Sequence, residues 1–174
     1  MRHRLALAAL LALALVLLIH PGQASGDGSA PGVPEAPVWE WPLDGHRTVA
    51  EPYRAPAHQY GAGHRGVDLR AAAGAVVRAP ADGAVAFRGV VVDRGVLTIE
   101  HAHGLVSSYE PISSDLAPGT LVRAGDVVGT LDRGGHALVD TLHLGVRWEG
   151  EYINPMLLFG PVPRAVLLPC CDAL

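Results

Sequence analysis

Residues 83–109 read GAVAFRGVVVDRGVLTIEHAHGLVSSY, three apolar-rich runs joined by two short turns. Val, Ile, Thr and aromatic residues recur in 83–92, 95–101 and 104–109, and Asp or Gly interrupts them, the punctuation of strands that fold back on one another. The same rhythm continues outward. Residues 75–80 (AVVRAP), 120–125 (TLVRAG), 126–131 (DVVGTL) and 142–148 (LHLGVRW) are further candidate strands. No window after residue 24 carries a long helical stripe, and residues 154–159 (NPMLLF) suit one helical turn at most. The expected fold is all-β: a mostly antiparallel core sheet with short irregular connections.

The 174 residues suffice for one compact domain and are too few for two comfortable ones. Arg2, His3 and Arg4 open the chain, Leu5 to Ile19 is an unbroken apolar run, and the small residues Gly22 and Ala24 suit cleavage after Ala24. Residues 1–24 therefore read as a secretory signal, which implies a secreted or cell-envelope location. The apolar run is shorter than the roughly 20 residues a membrane-spanning helix needs, so contact with the membrane is expected only if the signal stays uncleaved. Residues 25–38 (SGDGSAPGVPEAPV) form a flexible linker. The β domain covers 39–160, beginning near Trp39 or Trp41, and 161–174 is a Pro-broken tail. Cys170 and Cys171 are adjacent, too close for an unstrained bridge, and read as an oxidisable end.

Net charge narrows the partners. The chain carries −4, and residues 1–24 hold two arginines and no acid, so cleavage deepens the negative balance. That argues against binding nucleic acid or anionic lipid by bulk charge. Every basic residue besides histidine is arginine. The phrases APADGAV and VRAGDVVGTL are also what lipoyl and biotinyl carrier domains look like, but those attach their cofactor to a lysine. With no lysine the carrier function is excluded, though a similar sheet is not.

The nine histidines differ in weight. His3 and His20 flank the signal; His46 and His58 read as surface or hydrogen-bonded structural residues. In HAHG (101–104), His101 ends an apolar strand and is read as structural, while His103 sits at a hairpin tip. GHRGVDL (63–69) is different. On a straight strand His64 and Asp68 would lie roughly 13 Å apart, so sharing one ion at about 2.0–2.2 Å demands a sharp bend, for which Gly66 offers freedom. A third candidate, His143, stands between Leu142 and Leu144, where an imidazole prefers a partner.

Taken in order, GHRGVDL, GAVVRAPADGAV, LTIEHAHGLVSSYEP, VRAGDVVGTL and LHLGVR resemble the lysostaphin-like (LytM-type) zinc endopeptidases that cut peptide cross-links in bacterial cell walls, over about residues 50–158. The resemblance implies a core antiparallel sheet with the metal in a groove across it, and zinc ligands at His64, Asp68 and His143. Three protein ligands leave a fourth place for water, which the metal would acidify while polarising the scissile carbonyl. Two further family histidines are replaced. One belongs to an H-x-H pair ending at the last ligand, and Thr141 stands there; the other belongs to Y-x-H-L, and YEPI puts Pro111 there.

Substitutes are few. Thr141 points where the lost imidazole did, but a hydroxyl does not hold a proton near neutral pH. Alternation turns Glu110 away from the face of Tyr109 and Pro111, and turns Asp140 away from that of Thr141. His136, in DRGGHALVD, is the candidate replacement base. A positioned acid–base group contributes about 10²–10⁴ in rate and a transition-state donor about 10²–10³, so losing both costs roughly 10⁴–10⁷. Two readings follow: a zinc metalloendopeptidase-like envelope protein that acts on or binds peptidoglycan stem peptides with weak or altered hydrolysis, or a non-catalytic wall-binding module or activator of a cell-wall amidase.

Overall fold

The structure, a computed structural model, describes residues 38–160 apart from 46, 136 and 137. The expected signal, nearly all of the linker, the tail with Cys170 and Cys171, and His136 lie outside the described residues. Eleven strands are described: β1 (Val49–Glu51), β2 (Val67–Arg70), β3 (Val76–Arg78), β4 (Gly83–Val91), β5 (Arg94–His101), β6 (Leu105–Glu110), β7 (Ile112–Ser113), β8 (Leu121–Val122), β9 (Val127–Leu131), β10 (Thr141–Trp148) and β11 (Glu151–Ile153). All their pairings are antiparallel. The expected all-β, antiparallel architecture is the one found, and NPMLLF supplies one 3-10 turn, Pro155–Leu158.

The main sheet runs β1-β2-β10-β6-β5-β4-β8, and β11 extends the edge of β10 that β2 leaves open; β3, β9 and β7 make a second, smaller sheet. Strand β10 is the axis. Its residues Thr141 to Val146 are all buried, because both faces are covered. Leu142, Leu144 and Val146 join Val67 and Leu69 of β2 and Leu105 and Tyr109 of β6 in the core. By alternation Thr141, His143 and Gly145 take the opposite face, as do Asp68 on β2 and Ser108 and Glu110 on β6. Full burial of each aliphatic side chain contributes about 1.5–3 kcal/mol, so the core face fixes the register, and with it what the other face presents.

A buried polar line crosses this core. Tyr109 Oη and Ser107 Oγ lie 2.8 Å apart, and Ser107 Oγ is 2.7 Å from His101 Nε2. The His101 ring holds Asp82 O at 2.9 Å from Nδ1, so Nδ1 carries the proton and Nε2 accepts. Burial lowers the His101 pKa below the ordinary histidine value, outweighing its hydrogen bonds to the Asp82 and Ala81 backbone. His101 is thus a structural acceptor. Trp39 packs against it at a tilt of 52° with ring centroids 4.8 Å apart, and the Trp39 backbone N–H donates to Leu158 O at 2.7 Å.

Candidate metal centre

Backbone pairing places each donor. The register sets His143 of β10 directly opposite Asp68 of β2 on one side and opposite Glu110 of β6 on the other. His64 precedes β2 in an isolated antiparallel bridge with Arg54, whose N–H and C=O exchange bonds of 3.0 and 2.9 Å with it. Between His64 and β2 the chain bends through Arg65 and Gly66.

Gly66 is needed for space, not for the conformational freedom that the sequence suggests. Its φ is not in the positive range. A Cβ there would lie 2.5 Å from Leu144 O and 2.6 Å from His143 Nε2. The bend brings the loop flat against β10, and only a residue without a side chain fits between.

The three donors meet. His64 Nε2 is 3.1 Å from Asp68 Oδ1 and 3.1 Å from His143 Nδ1, and His143 Nδ1 is 2.8 Å from Asp68 Oδ1. Zinc bonds of about 2.0–2.1 Å at the tetrahedral angle set ligand atoms roughly 3.3–3.4 Å apart. The triangle is therefore one face of such a tetrahedron, drawn in by a few tenths of an ångström. His64 Nδ1 lies 2.8 Å from Pro52 O, so the proton sits on Nδ1 and the Nε2 lone pair is turned to the centre. With both rings neutral, three lone-pair-bearing atoms share at most one proton between them. A divalent cation fits that donor set. Burial works against ionising Asp68, but the adjacent His143 and His64 prevail and hold its carboxyl below the usual carboxylate range.

A groove of about 540 Å³ opens over His64 and His143, lined also by Arg54, Arg65, Arg94, Ser108, Glu110 and Tyr152. Glu110 belongs to this groove, which the sequence reading missed. Alternation does separate it from Tyr109, but Tyr109 is the core residue, fully buried, and the groove face is that of Glu110 and His143. Arg94 Nε donates to Glu110 Oε2 at 2.8 Å. Opposite, the Arg94 stem lies where a Cβ on Gly135 would be, so the loop after β9 closes over it.

Thr141 and Pro111 also come together, in an adjoining cavity of about 400 Å³ that Asp140, Arg133 and Leu138 share. The Thr141 side chain is 1% exposed, and its hydroxyl donates to Leu138 O. Pro111 is buried where the chain leaves β6 for the second sheet. Neither carries a group that exchanges protons near neutral pH. His101 and His103 border a different cavity beside Trp39, and His58 is exposed.

The sequence matches Peptidase family M23 over residues 62–155, more than half of the chain. The chain belongs to peptidase family M23. Every groove residue discussed above except Arg54 falls within the M23 match. The uncharacterized protein Rv2891 of Mycobacterium tuberculosis is 32% identical over 142 residues, 78% of this chain and 57% of that protein. The DD-carboxypeptidase/endopeptidase Mpg of Neisseria meningitidis is 34% identical over 102 residues, 58% of this chain and 24% of its own. The murein hydrolase activator NlpD of Salmonella typhimurium is 29% identical over 140 residues, 78% of this chain and 34% of its own. The chain thus spans little more than half the length of the first of these relatives and less of the others. Among solved structures, the catalytic domain of the antimicrobial peptidase lysostaphin from Staphylococcus simulans shares the fold, with a TM-score of 0.56 over 65% of this chain and 92% of that one at 20% identity.

Proposed function

We propose that this M23 protein is an extracytoplasmic zinc protein that holds the stem peptides of peptidoglycan in the groove over His64, Asp68 and His143 and hydrolyses them slowly. The observation that carries the reading is the converging donor triangle with its oriented His64 ring. A bound zinc would supply Lewis-acid polarisation of the scissile carbonyl and a more acidic water. What this chain adds is limited. Glu110, across β10 from Asp68 and fixed by Arg94, takes the proton of the attacking water in place of the absent histidines. Arg94 offsets charge developing on the carbonyl oxygen. A carboxylate tied to a guanidinium is a weaker base than an imidazole, so turnover is low.

The test is a pair of measurements on one preparation. Purified protein is expected to carry about one zinc per chain, and the zinc-loaded form to bind purified cell wall while releasing few muropeptides, with His64→Ala as control. Metal-free protein at neutral pH would overturn the site. Rapid release abolished by His136→Ala would instead make that loop histidine the replacement base.

A second reading, activation of a cell-wall amidase, is favoured by one observation: Thr141 and Pro111 leave no imidazole at either family position. Here the groove would grip peptide without cutting it. Added to an amidase and cell wall, zinc-loaded protein would then speed glycan–peptide cleavage, and Glu110→Gln would leave that stimulation intact.

A further inference from the structure

Next to the metal groove lies a second cavity of about 500 Å³, and it collects three of the chain's four tyrosines, Tyr53, Tyr60 and Tyr152. The fourth, Tyr109, is a core residue. Tyr60 is 87% exposed and Tyr152 40% exposed, so packing does not account for their rings. The two cavities are neighbours, since Arg65 and Tyr152 line both.

The shelf is built in advance. Arg65 Nη2 donates to Gln59 O at 2.6 Å and Gly61 O at 3.1 Å, and Gly61 N–H donates to His58 O at 2.7 Å, fixing the loop that carries Tyr60. The Tyr53 hydroxyl donates to Tyr152 O at 3.1 Å, which ties the approach to β2 to the β10–β11 hairpin. The Arg147 guanidinium sits 5.8 Å from the centre of the Tyr152 ring and supports it. The Tyr53 and Tyr152 rings and the backbone that carries Tyr60, held this way, bind without a large ordering cost.

Its chemistry is selective. No Leu, Ile, Val or Met lines the cavity; beside the tyrosines stand His58, Gln59 and Glu151, groups that donate and accept hydrogen bonds from exposed positions. Its aliphatic lining is limited to Ala55 and Pro56, so a ligand that offers both an apolar face and a polar rim gains more here than an aliphatic side chain. A pyranose has the matching surface: a face of C–H groups that stacks on an aromatic ring, and a rim of hydroxyl and amide groups that hydrogen-bond around it. We infer that this shelf is a saccharide subsite, taking a β-linked N-acetylhexosamine of the glycan strand while the attached peptide runs into the neighbouring groove. The inference rests on the peptidoglycan reading above for its substrate.

Calorimetric titration of the full-length zinc-loaded protein with a tetramer of β-1,4-linked N-acetylglucosamine tests it, beside the same titration with a sugar-free stem peptide. Saturable tetramer binding is expected, weakened about tenfold or more by Tyr60→Ala, with zinc content and stem-peptide affinity unchanged. Because Tyr60 is exposed, that variant keeps the fold. His143→Ala should abolish zinc binding and spare the tetramer, which separates failure of this subsite from failure of the metal site. No tetramer binding, or tetramer binding indifferent to Tyr60→Ala, overturns the inference. So does a loss of stem-peptide affinity in Tyr60→Ala equal to the loss for the tetramer, which would make the shelf a peptide subsite.

Discussion

Replacing Gly66 by alanine separates two explanations for that glycine. If Gly66 were kept for flexibility, alanine would be tolerated, because its φ lies outside the positive range. The contacts predict otherwise. A Cβ 2.5 Å from Leu144 O must retreat by about 0.9 Å to reach ordinary van der Waals separation, and the atom it meets is backbone of a strand paired on both sides. The adjustment therefore parts the His64 loop from β10. Overpacking of this kind costs about 1–3 kcal/mol, which for a domain of this size lowers Tm by roughly 4–12 °C. Zinc suffers more: ligand distances tolerate about 0.2 Å, and a shift several times larger pulls His64 Nε2 from the triangle it shares with Asp68 and His143. Affinity should fall at least tenfold, read by competition with a chromophoric chelator alongside thermal unfolding of the metal-free form. Gly74→Ala is the control: its φ is +81° with nothing within 4 Å of a Cβ, so it should cost about 1 kcal/mol in strain and leave zinc affinity alone. Gly66→Ala with wild-type Tm and zinc affinity within twofold would refute the reasoning.

Other outcomes follow from the same geometry. His143→Ala should remove the zinc seen by elemental analysis without unfolding the domain, since the neighbours Leu142 and Leu144 keep their core contacts. Glu110→Gln should lower residual cell-wall hydrolysis by about 10²-fold or more at unchanged zinc content; equal rates would place the proton acceptor elsewhere. Below about pH 6.5 the unfolded chain protonates His101 first, because its folded pKa is lowered, so stability declines as pH falls through that window and levels off beneath the folded pKa. Denaturation midpoints of wild type and His101→Asn, compared from pH 7.5 to 4.5 in buffers chosen for about unit steps, should diverge in slope; parallel profiles would remove His101 as the cause.

The long strands were legible because their apolar residues alternate and their turns carry Gly or Asp, as in 83–109. Strand β2 was not, although it holds Asp68: Val67, Asp68 and Leu69 are buried together, and four residues leave no period to read. Strands β1, β7 and β11 are shorter still. The donors His64, Asp68 and His143 could be named from motif order, yet their meeting depends on the β2–β10 register, which no local stretch encodes. Glu110 was misplaced for an instructive reason. Alternation along β6 holds, but the working face is that of Glu110, because Tyr109 ends the buried line from His101 through Ser107.

The β2–β10–β6 ladder also explains why a cation site and an acid–base site can part company in one fold. Asp68, His143 and Glu110 stand in register on β2, β10 and β6, so the same ladder that closes the core aligns two donors and one carboxylate. Thr141 lies at the margin of the ladder, at the start of β10 opposite Arg70, and Pro111 lies just beyond the end of β6. With Thr141 and Pro111 in those places the β2–β10 and β10–β6 pairing that aligns the donors is kept. Loss of His64, Asp68 or His143, by contrast, breaks the triangle and removes one of the three donors a cation needs. Hence the prediction that separates binder from hydrolase: Thr141→His with Pro111→His should raise cell-wall hydrolysis above wild type while zinc content and stem-peptide affinity stay level. If the double variant gains no rate but loses zinc, the margin and the ladder are not independent, and the slow-hydrolase reading fails with them.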